Sequence, residues 1–163
     1  MQVRIRATGQ VLLEHEWIKW VATTYAKSIS ALTADIFDRF DSDPIFEGPQ
    51  ATGGTVYQYS QRDGVEQGTD GNWYTKYILG PVFTDSAEAT AAEQEAAYKA
   101  MKDAEQAKSV RATRGEKLKD SDWTQLADAP VDKALWAAYR QSLRDVTTQE
   151  GFPWVIIWPV QPE

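Results

Sequence analysis

The sequence predicts an α+β fold, and three observations carry that prediction. Period-two apolar patterns appear at both ends of residues 1–84, with hairpin-type dipeptides between the later ones. Two segments repeat apolar residues at spacings of three and four. Between those segments, residues 85–120 form a proline-free stretch rich in Ala, Glu and Lys. The expected architecture is a small N-terminal antiparallel sheet with short helices, a long helix, and a C-terminal helix followed by an extended aromatic tail. Three parts are expected: an N-terminal α+β module at 1–84, a connecting helix at 85–120 and a C-terminal module at 121–163.

In the first part, Val3, Ile5 and Ala7 alternate with Arg4, Arg6 and Thr8, the pattern of a strand with one wet face. Thr8-Gly9-Gln10 signals a turn, and "VLL" returns as a short strand. Trp17, Trp20, Val21, Tyr25 and Ile29 then make a helical stripe. A second short helix is expected at "LTADIFDRF", with Thr33 as its N-cap and Ile36, Phe37 and Phe40 as its apolar face. "IFEGPQATGG" reads as a break. The runs "TVYQYSQ" and "NWYTKYILGPVF" read as two strands of an antiparallel meander, with Asp63-Gly64 and Asp70-Gly71-Asn72 as turn chemistry.

Residues 85–120 run acidic early and basic late, which suits the helix dipole, and Asp85 or Ser86 is expected to cap the start. The apolar stripe is thin, so the helix is read as a spacer or as packed against a twin. "SDWTQLADAP" reads as a structured loop, with Pro130 at the first position of the next helix. In "VDKALWAAYRQSLRDV", Val131, Leu135, Trp136, Ala138, Tyr139, Leu143 and Val146 are expected on one arc, with Lys133, Arg140 and Arg144 opposite. The chain ends in "GFPWVIIWPVQPE". In an extended segment Trp154, Ile156 and Trp158 share one face, and Val155 and Ile157 share the other. The inward face is expected to pack with Trp123 on the helix carrying Trp136 and Tyr139.

Composition limits the functions. The net charge of -7 disfavours nucleic-acid phosphates and anionic membranes. No Cys is present, so no disulfide or thiolate metal site is expected. No run reaches the length of a membrane span, and "MQVRIRATGQ" lacks the apolar core of a signal peptide. His15 is the one histidine, and without a second there is no HExxH motif. No G-x-S-x-G elbow, Walker loop or G-x-G-x-x-G is found. Asp35, Asp38, Asp41 and Asp43 do not fit a calcium loop, since Pro44 interrupts the ligand pattern; helix termination and turn-making are expected of them. No enzyme, metal site or cofactor is therefore expected. A hydrolase built on a carboxylate pair is the third and weakest reading.

The C-terminal stretch resembles bacteriophage tail and tail-fibre assembly chaperones. The resemblance rests on D-W-T-Q-L-x-D-A-P at Asp122 to Pro130, W-x-x-Y-R-x-x-L-R-D at Trp136 to Asp145, G-F-P at Gly151 to Pro153 and Trp158-Pro159. Upstream, "TGQV", "DPIFEGPQ" and "GNWYTKY" resemble it more loosely. The Trp17–Trp20 helix has no counterpart in the pattern and leaves room for a private function such as anchoring in the virion. The resemblance implies a non-enzymatic phage protein that binds tail-fibre or tail-tip subunits in the host cytoplasm during assembly, and then leaves or stays in the virion tail. Trp123, Trp136, Tyr139, Arg140, Arg144, Trp154 and Trp158 are the expected partner-binding residues. Self-association through the 85–120 helix is a further expectation. The alternative is a dedicated structural tail, baseplate or fibre accessory subunit.

Overall fold

The computed structural model describes residues 1–163. The fold is α+β, and the chain divides into two compact units, Met1–Val82 and Phe83–Glu163.

The first unit is a five-stranded sheet with two helices. Its strands are β1 (Gln2–Ile5), β2 (Val11–Leu13), β3 (Ser42–Phe46), β4 (Tyr59–Gln67) and β5 (Trp73–Gly80), in the order β2-β1-β3-β5-β4. Helices α1 (Glu14–Tyr25) and α2 (Ala34–Arg39) supply the apolar partners of β1. Val3 and Ile5 from β1 pack with Trp17 and Val21 from α1, and with Phe37 and Phe40 at α2. Trp17 is fully buried. Its indole N–H donates to Ser42 Oγ at 2.9 Å, and Ser42 donates in turn to the Phe40 carbonyl at 2.9 Å. α1 starts where Glu16 accepts the Leu13 backbone N–H, and it ends at Ala26 in the left-handed region (φ 53).

Two expectations are corrected here. A strand not expected from sequence, β3, takes in Ile45 and Phe46, the first two residues of the segment read as a break, and it runs parallel to β5, so the sheet is mixed rather than an antiparallel meander. Pro44 cannot donate to a ladder. The parallel pairing involves only Ile45 and Phe46, so Pro44 sits just before it begins. Asp43 and Asp38 do more than end helices: Arg4 donates to Asp43, and Arg6 donates to Asp43 at 2.7 Å and Asp38 at 2.6 Å. These bonds raise the Arg6 pKa above its ordinary value, the Asp38 bond being the larger cause. The Arg4 guanidinium also lies 4.0 Å over the Trp73 ring. Two of the four acidic residues, Asp38 and Asp43, thus pair with the arginines of β1, while Asp41 takes a turn conformation at φ 48 as expected. Asp63-Gly64 is a bulge inside β4, where the register slips between Arg62 and Val65 with Gly64 at φ 81. The hairpin turn lies at 68–72. There Asp70 accepts from Tyr74 Oη at 2.7 Å and from Asn72, and the Tyr74 bond is the main reason its carboxyl titrates below the usual range.

The second unit contains α3 (Ala91–Asp120), a short 3₁₀ turn (Asp122–Gln125), α4 (Lys133–Asp145), a second 3₁₀ turn (Val146–Thr148) and the extended tail. α3 begins six residues later than Asp85, which nonetheless caps it by accepting the Ala91 N–H at 2.7 Å. Thr90 and Glu93 form a capping box: the Thr90 hydroxyl accepts the Glu93 N–H, and Glu93 accepts the Thr90 N–H at 2.9 Å. Those bonds hold the Glu93 carboxyl below its usual range. The cap therefore supports the helix above the ordinary glutamate pKa and loses that support as pH falls through the lowered value. Asp132, not Pro130, starts α4, accepting the N–H groups of Ala134 and Leu135.

Replacing Ser42 by Ala removes the acceptor of a buried indole N–H. The expected loss is about 1–3 kcal/mol of unfolding free energy, measured by urea titration; an unchanged midpoint would show that the Trp17 contact is packing alone.

Candidate functional site

The C-terminal half of α3, the loop after it, α4 and the tail form a continuous aromatic module. Its core is Trp136, Tyr139 and Leu143 from α4, with Leu118, Val131 and Trp158 packed against them. Trp136 meets Tyr139 edge to face at 5.7 Å and Trp123 at 5.9 Å.

Arg140 is the correction of greatest consequence. It was expected on the wet side of α4, yet it is only 9 % exposed. Four residues make a little over one helical turn, so Arg140 lies about 40° round the helix beyond Trp136, just outside the arc read from sequence but at the edge of the face that is covered. Its guanidinium donates to the Leu118 carbonyl at 2.7 Å, to Ser121 Oγ at 2.7 Å and to Asp122 Oδ1 at 2.8 Å. One side chain thus satisfies the open carbonyl end of α3, the first residue beyond it and a carboxylate of the following turn. Leu135 and Ala138, expected on the arc, are exposed instead, because the covered face is centred on Trp136 and Leu143.

The tail alternates as an extended segment should. Trp154, Ile156 and Trp158 are half-buried, while Val155 (66 % exposed) and Ile157 (77 %) face outward, followed by Val160. Its inward face lies along α3 as well as α4. Trp154 Nε1 donates to Asp103 Oδ1 at 2.6 Å, and Trp154, Ile156 and Trp158 border a groove with Gln106, Val110 and Thr113. Lys117 sits 5.6 Å over the Trp158 ring, and Arg111 sits 5.4 Å over Phe152. The turn into the tail closes when Trp154 and Val155 donate to the Gly151 carbonyl. A Cβ on Gly151 would come within 2.6 Å of the Val155 carbonyl oxygen, so only glycine fits there.

Of the seven residues expected from sequence, Trp136, Tyr139 and Arg140 are interior, while Trp154 and Trp158 are half-buried. Trp123 is 48 % exposed, and Arg144 is exposed with a bond to Gln141. Sequence reasoning missed Gln149 and Asp103. The Gln149 amide both donates to the Ile157 carbonyl and accepts its N–H, each at 2.8 Å, taking the place of a neighbouring strand. Nothing periodic announces a single polar residue in a turn. Asp103 did carry a signal, because it falls on the helical face of Ala107 and Val110.

The comparisons bear on this same stretch. Residues 107–163 match the family model described as phage tail assembly chaperone protein. The match spans about a third of the chain. It starts at Ala107, the first buried residue of α3, and takes in all of α4 and the tail. The C-terminal resemblance read from sequence therefore holds, and it covers the aromatic module. No curated protein and no solved structure matches the chain. No group of three or more His, Asp or Glu side chains is placed to hold a metal ion, and no helix is long and apolar enough to cross a membrane.

Arg140→Met should remove the charged donor shared by the Leu118 carbonyl, Ser121 Oγ and Asp122, leaving the Leu118 carbonyl only its bonds from Ser121. It is expected to cost about 2–3 kcal/mol, the scale of hydrogen bonds to a charged group. Arg140→Lys should recover only part, since a single ammonium cannot reproduce the fork. Full recovery by Lys in a denaturant titration would show that charge alone, not the fork, joins the two helices.

Proposed function

We propose that the chain is a non-enzymatic phage tail assembly protein that binds a tail-fibre or tail-tip subunit in the host cytoplasm through the outward side of its aromatic module. The single observation behind this reading is that the family match and the packed part of the second unit coincide. The interior residues Trp136, Tyr139 and Arg140 hold the scaffold. We assign the client contact to Val155, Ile157 and Val160 on the tail, and count the exposed Trp123 and Arg144 as further contact residues. Large apolar side chains at 66–91 % exposure are suited to such a contact, because burying them on a client removes apolar surface from water. The tail's extended backbone suits pairing with a client strand.

Whether the protein then stays in the virion tail is a second reading, which the exposed aromatics of the first unit favour. Phe46 and Tyr59 are about half exposed and give that unit a surface of its own.

The test is co-expression with the tail-fibre subunit and pull-down. Val155→Asp with Ile157→Asp should abolish recovery of the subunit while leaving the melting temperature essentially unchanged. Trp158→Ala should instead lower stability, by less than the roughly 3–5 kcal/mol that truncating a fully buried aromatic costs, because Trp158 is half-buried. Undiminished capture by the double Asp variant would refute the outward ridge as the client surface.

A further inference from the structure

One face of α3 is left open by the chain's own packing. Ala97, Met101, Ala104, Lys108 and Arg111 follow one another at spacings of four, three, four and three, which is the seam of a coiled coil. All five are exposed, Met101 at 47 %. The buried and half-buried positions near the same levels, Asp103, Gln106, Ala107 and Val110, lie on the other side of the helix.

Charge along this seam is graded. Glu93, one turn before Ala97, gives it an anionic start; Ala97, Met101 and Ala104 make a small apolar middle; Lys108 and Arg111 make a cationic end. A helix that fits must therefore be cationic opposite Glu93, small and apolar in the middle, and anionic opposite Lys108 and Arg111. The same seam run in the opposite direction has that order.

We propose that a second copy of this chain docks here, the two α3 helices antiparallel and centred between Met101 and Ala104. In that register Met101 of one copy packs on Ala104 of the other. The aliphatic stem of Lys108 covers Ala97 of the other copy, and its ammonium reaches toward Glu93. Arg111, whose guanidinium rests on Phe152, also comes beside Glu93 of the other copy. Alanines at the seam let the helix axes approach closely. Parallel pairing would instead set Lys108 and Arg111 against their own copies, which like-charge repulsion opposes. This inference is independent of the client surface, which lies on the tail.

The chain has no cysteine, so single thiols can be placed without background. Met101→Cys and Gly115→Cys are each treated with a short bis-maleimide in the full-length protein. Both positions are exposed, and an added Cβ at Gly115 meets nothing within 4 Å. Antiparallel pairing brings the two thiols at position 101 together and leaves the two at position 115 about 37 Å apart along the axis, from a rise of about 1.5 Å per residue. A covalent dimer from the first and monomer from the second is expected. Equal cross-linking at both sites, or at neither, overturns the proposal. A charge reversal gives a second reading by analytical ultracentrifugation: Lys108→Glu with Arg111→Glu, which leaves the Thr90–Glu93 cap intact, should be monomeric, and a dimer that survives it unchanged also overturns the proposal.

Discussion

The second unit depends on a buried guanidinium. Removing a charge from water is costly, and Arg140 offsets that cost because three acceptors from successive parts of the chain converge on it: the Leu118 carbonyl, the Ser121 hydroxyl and the Asp122 carboxylate. The planar fork fixes direction as well as distance, so α4 can approach the end of α3 in only one way. Once that approach is set, Trp136, Tyr139 and Leu143 have Leu118 beside them, and Trp158 can close the cluster. Lys133 adds a second tie by donating to the Thr124 and Leu126 carbonyls, which holds the intervening loop to the start of α4.

The tail then divides its labour by face. Its inward side chains are held by an indole-to-carboxylate bond at Asp103 and by contact with α3 and α4. Its backbone is held at Ile157 by the Gln149 side chain instead of by a neighbouring strand. Anchoring of this kind orders an extended segment while leaving Val155, Ile157 and Val160 uncovered. The apolar chain end is therefore half scaffold and half surface.

Much of this was legible in the sequence. The alternation of the tail, the stripes of α1 and α4, and the Ala-rich helix all follow from periodicity. What periodicity could not show was pairing between distant residues. β3 is five residues long, contains a proline and runs into the break at 47–54, so no strand was read there, and its parallel partner β5 lies more than twenty residues away. Asp63-Gly64 has hairpin chemistry, but a bulge also needs a residue at positive φ, and only the Arg62/Val65 slip in register tells them apart. The start of α3 was readable: Thr90 and Glu93 have capping-box spacing, and Asp85, expected as a cap, does accept the N–H of Ala91, the first helical residue. Arg140 was not readable, since it lies beyond Trp136 at the rim of the apolar arc, where periodicity and charge both suggested solvent; the acceptors at the end of α3 draw it inside.

The central claim is that the tail and the α3–α4 pair form one body that keeps its outward ridge free. Residue-resolved hydrogen exchange on the isolated protein tests this most directly. The account predicts that the Ile157 amide, bonded to the Gln149 side chain, is protected together with the core amides of α4, and that Gln149→Ala releases it while α4 stays protected. Free exchange at Ile157 in the unaltered protein, with α4 fully protected, would contradict the account by showing that the tail is not part of the folded body.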